Sequence, residues 1–360
     1  MDSRQDEFSK VLRVEVMSYF ARDNRSIKGS LSLYLKPVLF IALLIVSYRE
    51  LLFHTTNWGV GFFWCLSLIF AMGGIGFGFA HDSCHGAFSR SRFWNRLTGL
   101  GYDMMGASSY VWRWKHNVLH HGSPNHQAHD PDVQTAPFLR ISEDQPRRSF
   151  NRYQHLYFPL LYFFILFRWQ LWQDFATYYK GELLGKKFRR PTGIDLFVFW
   201  GAKAVVILFT FIYPSFFVPF SHVLLAYAVV MGGLGIFLGT LIQIAHCTEG
   251  VSFESADLGE SLSQVEQVQR STNFCPTNRF LTWYTGGLNF QIEHHLFPGI
   301  ASVHYPELSH IVRANCAKFG VRYQSHPSAL GALSAHVRHL KKMGAGDGHQ
   351  KGTSLEAFSQ

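Results

Sequence analysis

Three short stretches of this 360-residue chain space their histidines so that the side chains can act together. They are His81-Asp-Ser-Cys-His85, His116-Asn-Val-Leu-His120-His121 and Gln291-Ile-Glu-His294-His295. Residues three and four apart share one face of a helix, which pairs His81 with His85, His116 with His120, and Gln291 with His294 and His295. Each cluster thus points two or three nitrogen donors at one place, with an amide oxygen from Gln291 added in the third. A neutral imidazole binds iron, zinc or copper about equally. One zinc takes four ligands in all, and three converging clusters exceed that number, so the spacing predicts two metals. His246 joins the expected ligands because it closes the apolar run GTLIQIAHC at the depth expected of His81. Asp82 and Glu293 fall off the ligand face and are predicted to accept hydrogen bonds from the second ring nitrogen of ligating histidines.

The remaining histidines, of 19 in all, carry a plainer expectation. His126 and His129 read as an exposed loop, His304 and His310 as cap residues. His54, His155, His222, His326, His336, His339 and His349 read as ordinary scattered histidines.

Apolar stretches must position these clusters. Residues 34–53, 59–79, 195–216 and 223–245 are each close to the roughly 20 apolar residues that cross a bilayer. A fifth run, 157–172, is broken by Arg168 and short, and is expected to lie at the interface. The links after Phe53 and Phe217 hold no Lys or Arg, whereas 80–194 and 246–360 hold many. Cationic loops stay on the cytosolic side. The sequence therefore predicts an all-α integral membrane protein whose four transmembrane helices form two hairpins under one cytosolic helical cap. Residues 1–33 are expected to form a cytosolic amphipathic segment (Phe8, Val11, Leu12, Val16) lying on the membrane or the cap. Residues 34–325 would form the body, and 326–360 a tail partly disordered after Lys342. Gly74 with Gly78 and Gly235 with Gly239 are predicted to let helices approach closely. The glycine-rich GGIGFG sits inside an apolar span with no strand before it, which argues against nucleotide binding.

Composition agrees with burial in lipid: 48% of residues are hydrophobic, 16% aromatic and only 16% charged, against roughly 25% charged in soluble domains. The net charge of +9 arises from cations flanking apolar runs, which favours anionic lipid over nucleic acid. Five cysteines without a CxxC pair suit reduced thiols. Clusters at one membrane edge, and not spread through its depth, argue against a metal transporter. The absence of HExxH argues against a zinc hydrolase. Oxidising an unactivated lipid chain needs a redox metal with dioxygen, so iron is expected over zinc.

These residues resemble the membrane fatty acid desaturase family: HDSCH matches its first box, HNVLHH its second, and QIEHH, within GGLNFQIEHHLFP, its third. Gln at the head of the third box resembles the front-end desaturases. The resemblance spans residues 35 to 325. It implies a four-span fold with a cytosolic diiron site and an acyl tunnel. The ligands would be His81, His85, His116, His120, His121, His294 and His295, with Gln291 at the variable position and His246 as the extra histidine. It further implies an acyl-CoA or acyl-lipid substrate, dioxygen as co-substrate, and removal of two hydrogens from neighbouring carbons. Many front-end members carry a fused cytochrome b5 domain marked by His-Pro-Gly-Gly. That segment is not in this sequence, so ferredoxin or free cytochrome b5 is the expected electron donor. A hydroxylase on the same scaffold is the nearest alternative. On this reading His120→Ala abolishes product while leaving the protein folded in membrane, checked by fatty acid profiling of an expression host; retained turnover removes His120 from the ligand set.

Overall fold

The computed structural model describes residues 3–253 and 262–345, and their regular structure is helical apart from two minimal ladders. The helices that frame the site are α1 (Ser3–Arg22), α2 (Leu31–Phe53), α3 (Trp58–Cys84), α4 (Gln154–Phe163), α5 (Ile194–Phe216), α6 (Phe220–His246), α7 (Gln291–Leu296), α8 (Tyr305–Phe319) and α9 (Ala329–Ala345). Glu182–Leu183 pairs antiparallel with Lys186–Lys187, and Asn273–Phe274 pairs parallel with Ser325–His326. These ladders are the departures from the all-α expectation.

Four of the helices, α2, α3, α5 and α6, run for 23, 27, 23 and 27 residues and are apolar enough to cross a membrane. Asn57 starts α3 by accepting a hydrogen bond from the Val60 N–H at 3.0 Å, satisfying one of the donors a helix N-terminus leaves over. α3 runs past the expected end at 79 because a π turn, Gly76–Ala80, carries the helix on through His81–Cys84. Along α5 only Phe199 and Lys203 are buried before Ile207, and none of 208–212 is. A span so little covered by protein needs another apolar solvent.

Glycine lets α6 be covered tightly. A Cβ on Gly235 would lie 2.6 Å from the Tyr162 carbonyl oxygen, and one on Gly239 would lie 2.8 Å from the Tyr162 ring. The run expected at the interface thus packs one face, with Phe158 and Tyr162 buried, against α6, while Leu156, Leu160 and Phe164 stay exposed on the other. The second glycine pair faces a different neighbour, since a Cβ on Gly74 would come within 2.3 Å of the Phe40 ring of α2.

At the N-terminus Phe8, Leu12, Val16 and Phe20 form an i, i+4 stripe buried with Leu308, Val312 and Cys316 of α8. The expected stripe is therefore covered by the protein's own helices; Val11 is only partly buried, and Phe20 completes the stripe. The segment set apart as a tail also differs. α9 packs on α4 and α6, with His336 donating from Nδ1 to the Cys247 carbonyl (2.6 Å) and meeting the Tyr162 hydroxyl through Nε2 (2.9 Å), and His339 donating from Nε2 to the Ile141 carbonyl at 2.7 Å. The expected disorder beyond Lys342 falls largely on 346–360, outside the described residues.

Overpacking a close helix contact costs about 1–3 kcal/mol. Gly235→Val, whose side chain meets backbone and not a movable ring, is expected to lower the melting temperature in detergent. Gly201→Val in α5, where a Cβ meets nothing within 4 Å, is expected to leave it unchanged.

Candidate metal centre

The last turns of α3 and α6 end at the same level, delivering His81 and His246 into one buried region. Between them runs Trp114–His120, a π-helical segment. A π turn repeats near five residues and not four, which brings His121 into line with His116. Their Nε2 atoms lie 3.2 Å apart. The short helix α7, entirely buried, brings Gln291, His294 and His295 from the opposite side.

The imidazoles gather in two groups. His81, His85, His116 and His294 place ligand atoms within 4.8 Å of one another, as do His120, His246 and His295. His121 adjoins the first, its Nε2 lying 2.9 Å from that of His294. Gln291 adjoins the second, but it turns its Nε2, and not the expected oxygen, to within 2.9 Å of His246 Nε2 and 3.4 Å of His295 Nε2.

Tautomers show that this region suits a cation. His120 donates from Nδ1 to Asp130 at 3.0 Å and His246 from Nδ1 to the Arg270 carbonyl at 3.3 Å, which leaves each Nε2 as the acceptor nitrogen facing inward, that of His246 within 2.9 Å of Gln291 Nε2. His85 Nε2 is buried with no hydrogen-bond partner among the described residues. Burial pushes His85 down to about 3 and holds His116, His121, His294 and His295 well below the ordinary histidine value. They are neutral at pH 7, the form that binds metals. Such a donor set, all nitrogen and packed to about 3 Å between lone pairs, fits one cation held in each group.

A sequence pattern described as fatty acid desaturase matches residues 56–327. The chain belongs to the fatty acid desaturase family. It is 32% identical over 345 residues to the sn-1 linoleoyl-lipid 6-desaturase of Synechocystis sp., covering 94% of this chain and 95% of that protein. To the acyl-lipid (8-3)-desaturase of Physcomitrium patens it is 32% identical over 349 residues, covering 95% of this chain and 73% of the moss protein. The family and the front-end placement read from the three boxes are borne out, and the chain is an acyl desaturase.

Two assignments in this desaturase need correction. Asp82 accepts from the Ser302 N–H (3.1 Å) and hydroxyl (2.7 Å), and Glu293 accepts from Asn273 Nδ2 (2.7 Å) and the Tyr323 hydroxyl (2.9 Å). Neither carboxylate reaches a ring nitrogen, because both lie on helix faces turned from the histidines and toward the loops behind them. Burial raises the Glu293 carboxyl to about 7.

The part expected of them is taken by Asp130. It bonds His120 Nδ1 and also accepts from the Asn125 and Asp132 N–H groups. Burial pulls His120 down, but Asp130 outweighs it and the net shift is upward. Asp132 lies within ligand distance of His116 and His120. Burial pushes it up, yet Lys115 at 2.7 Å and His120 bring it to about 2. The signal was present in the sequence as Asp130-Pro-Asp132, close behind the second cluster. His126, expected in an exposed loop, is buried and stacks on His129 at 4.6 Å. Of the two histidines expected in the cap, His304 packs edge-on against Phe20 and His310 is exposed.

Losing the outer partner of a ligating histidine costs about 10–100-fold in metal affinity or activity. Asp130→Asn is expected to lower bound iron and turnover on that scale, read by metal analysis of purified protein beside product assays.

Proposed function

We infer that this desaturase is a front-end acyl-lipid desaturase with two irons at the cytosolic edge of the membrane, using dioxygen and electrons from a separate ferredoxin or cytochrome b5. The observation that carries the reading is the pair of buried imidazole groups beside an apolar cavity. Asp130 and the Arg270 carbonyl fix the tautomers of His120 and His246, so that acceptor nitrogens face inward. His81, His85, His116, His121 and His294 would hold one iron; His120, His246 and His295, with Gln291 adjacent, would hold the other. When bound, the irons supply the reductive activation of dioxygen that no side chain can provide.

The cavity lies between α3, α6 and residues 102–107 and 166–170, with Met72, Met105, Met231, Leu166, Leu234 and Leu238 among its walls. Its Tyr102 stacks on Trp112 at 4.6 Å, and Trp112 stacks on His116 at 4.2 Å. Two stacked aromatic rings therefore lie between the apolar space and His116 of the first imidazole group. Methionine and leucine walls suit a flexible hydrocarbon and exclude water from the reacting carbons. The relatives' names, linoleoyl-lipid and acyl-lipid, favour a lipid-linked chain over a CoA thioester.

The two short links lie at the ends of the spans remote from the histidines. With cations gathered beyond the other ends, the spans form two hairpins under a cytosolic cap. Cells expressing the enzyme with a reductant are expected to accumulate lipid acyl chains two hydrogens lighter, with the new double bond between an existing one and the carboxyl end. Mass spectrometry with double-bond location decides this, and chains heavier by one oxygen would assign a hydroxylase instead.

A further inference from the structure

The first and third histidine clusters are more than 200 residues apart in sequence, yet their nitrogens must meet to within a few tenths of an ångström. Two lysines from the N-terminal region, neither of them near a ring nitrogen, span the join. Lys36, 2% exposed, donates from Nζ to the Gly78 carbonyl at 3.2 Å and to the Trp283 carbonyl at 2.5 Å. Gly78 lies in the π turn three residues before His81; Trp283 lies in the helical turn that leads to Gln291. Half-buried Lys28 donates from Nζ to the Gly86 carbonyl at 2.9 Å and to the Gly299 carbonyl at 3.0 Å. Gly86 follows His85 directly, and Gly299 follows His295 by four residues.

Each ammonium group thus joins backbone beside the first cluster to backbone beside the third, one ahead of the ligands and the other behind them. A lysine suits the task because its three donors can serve two carbonyls at once. The join they span is closely fitted. A Cβ on Gly286, which has φ +58°, would lie 2.0 Å from the Phe77 carbonyl oxygen, so this loop sits directly on the π turn of α3. Asp82, bonded to Ser302, makes a third tie across the same seam. Backbone around Lys28 adds to it, with Gly29 N–H donating to Phe88 and Ala301 N–H to Ile27.

We propose that Lys28 and Lys36 are positioning residues that lock the first and third histidine clusters in register, making the N-terminal segment part of the metal-holding structure. The inference rests on the diiron reading. Its test is the rate at which purified, iron(II)-loaded protein gives up metal to a chelator, together with the visible absorption of the cobalt(II)-substituted protein. Lys28→Met and Lys36→Met are expected to release iron about tenfold faster or more, the scale on which outer partners act, and to shift the cobalt bands. Lys28→Arg, which keeps a charged donor, is expected to restore both. Lys10→Met, at an exposed position of α1, is expected to change neither. Wild-type release rates and cobalt spectra in Lys28→Met would overturn the proposal, and this variant decides it even where Lys36→Met fails to insert. Wild-type protein that holds no iron overturns the diiron reading itself, and this inference with it.

Discussion

Neutral imidazoles whose lone pairs face one another at about 3 Å repel, and burial removes the water that would separate them. A shared cation would relieve that repulsion, and its binding free energy would then become part of the free energy of folding. Much of the molecule is organised by that constraint. α3 and α6 end at the same level, the 114–120 segment adopts π geometry, and α7 is buried along its whole length. Side chains that serve no other purpose, among them Asp130 and Asn125, fix the backbone and tautomers of the residues that converge.

The surroundings of the site are divided between two kinds of contact. Glycine-lined faces on α3 and α6 let aromatic rings and whole helices approach closely, giving a closely packed frame in the apolar layer. Around the histidines the ties are hydrogen bonds to backbone, such as Asn125 Nδ2 to the His246 carbonyl at 2.9 Å and Asn117 Nδ2 to the Cys84 carbonyl at 3.0 Å. The second cluster is thereby bonded to the ends of both spans that carry ligands. A frame that is dry on one side and hydrogen-bonded on the other suits a reaction that must keep a hydrocarbon away from water while letting electrons and protons in.

Much of this was legible in the sequence, because the determining signals are local. The four spans follow from run length alone, and the three clusters from spacing on a helix. What was not legible depends on geometry that period counting does not carry. His121 looked merely adjacent to His120, and only a π turn explains how it faces His116. Asp82 and Glu293 were correctly placed off the ligand face, but what lay opposite them, Ser302 and Asn273, comes from remote loops. His336 resembled any surface histidine of a basic tail until α9 was seen to insert it between Tyr162 and Cys247. The stripe on α1 was readable as amphipathic, while its partner on α8 was not.

That partnership couples the two extremities of the polypeptide. Asn315 donates to Glu15, 300 positions away in sequence, and the α1 stripe is buried against residues from Val268 onward, ending with α8. During synthesis the first helix must therefore wait, shielded by the bilayer surface or a chaperone, while nearly the whole chain emerges. Closure of such distant contacts is slow. A metal centre built on this frame would accordingly be completed only after most of the chain has been made.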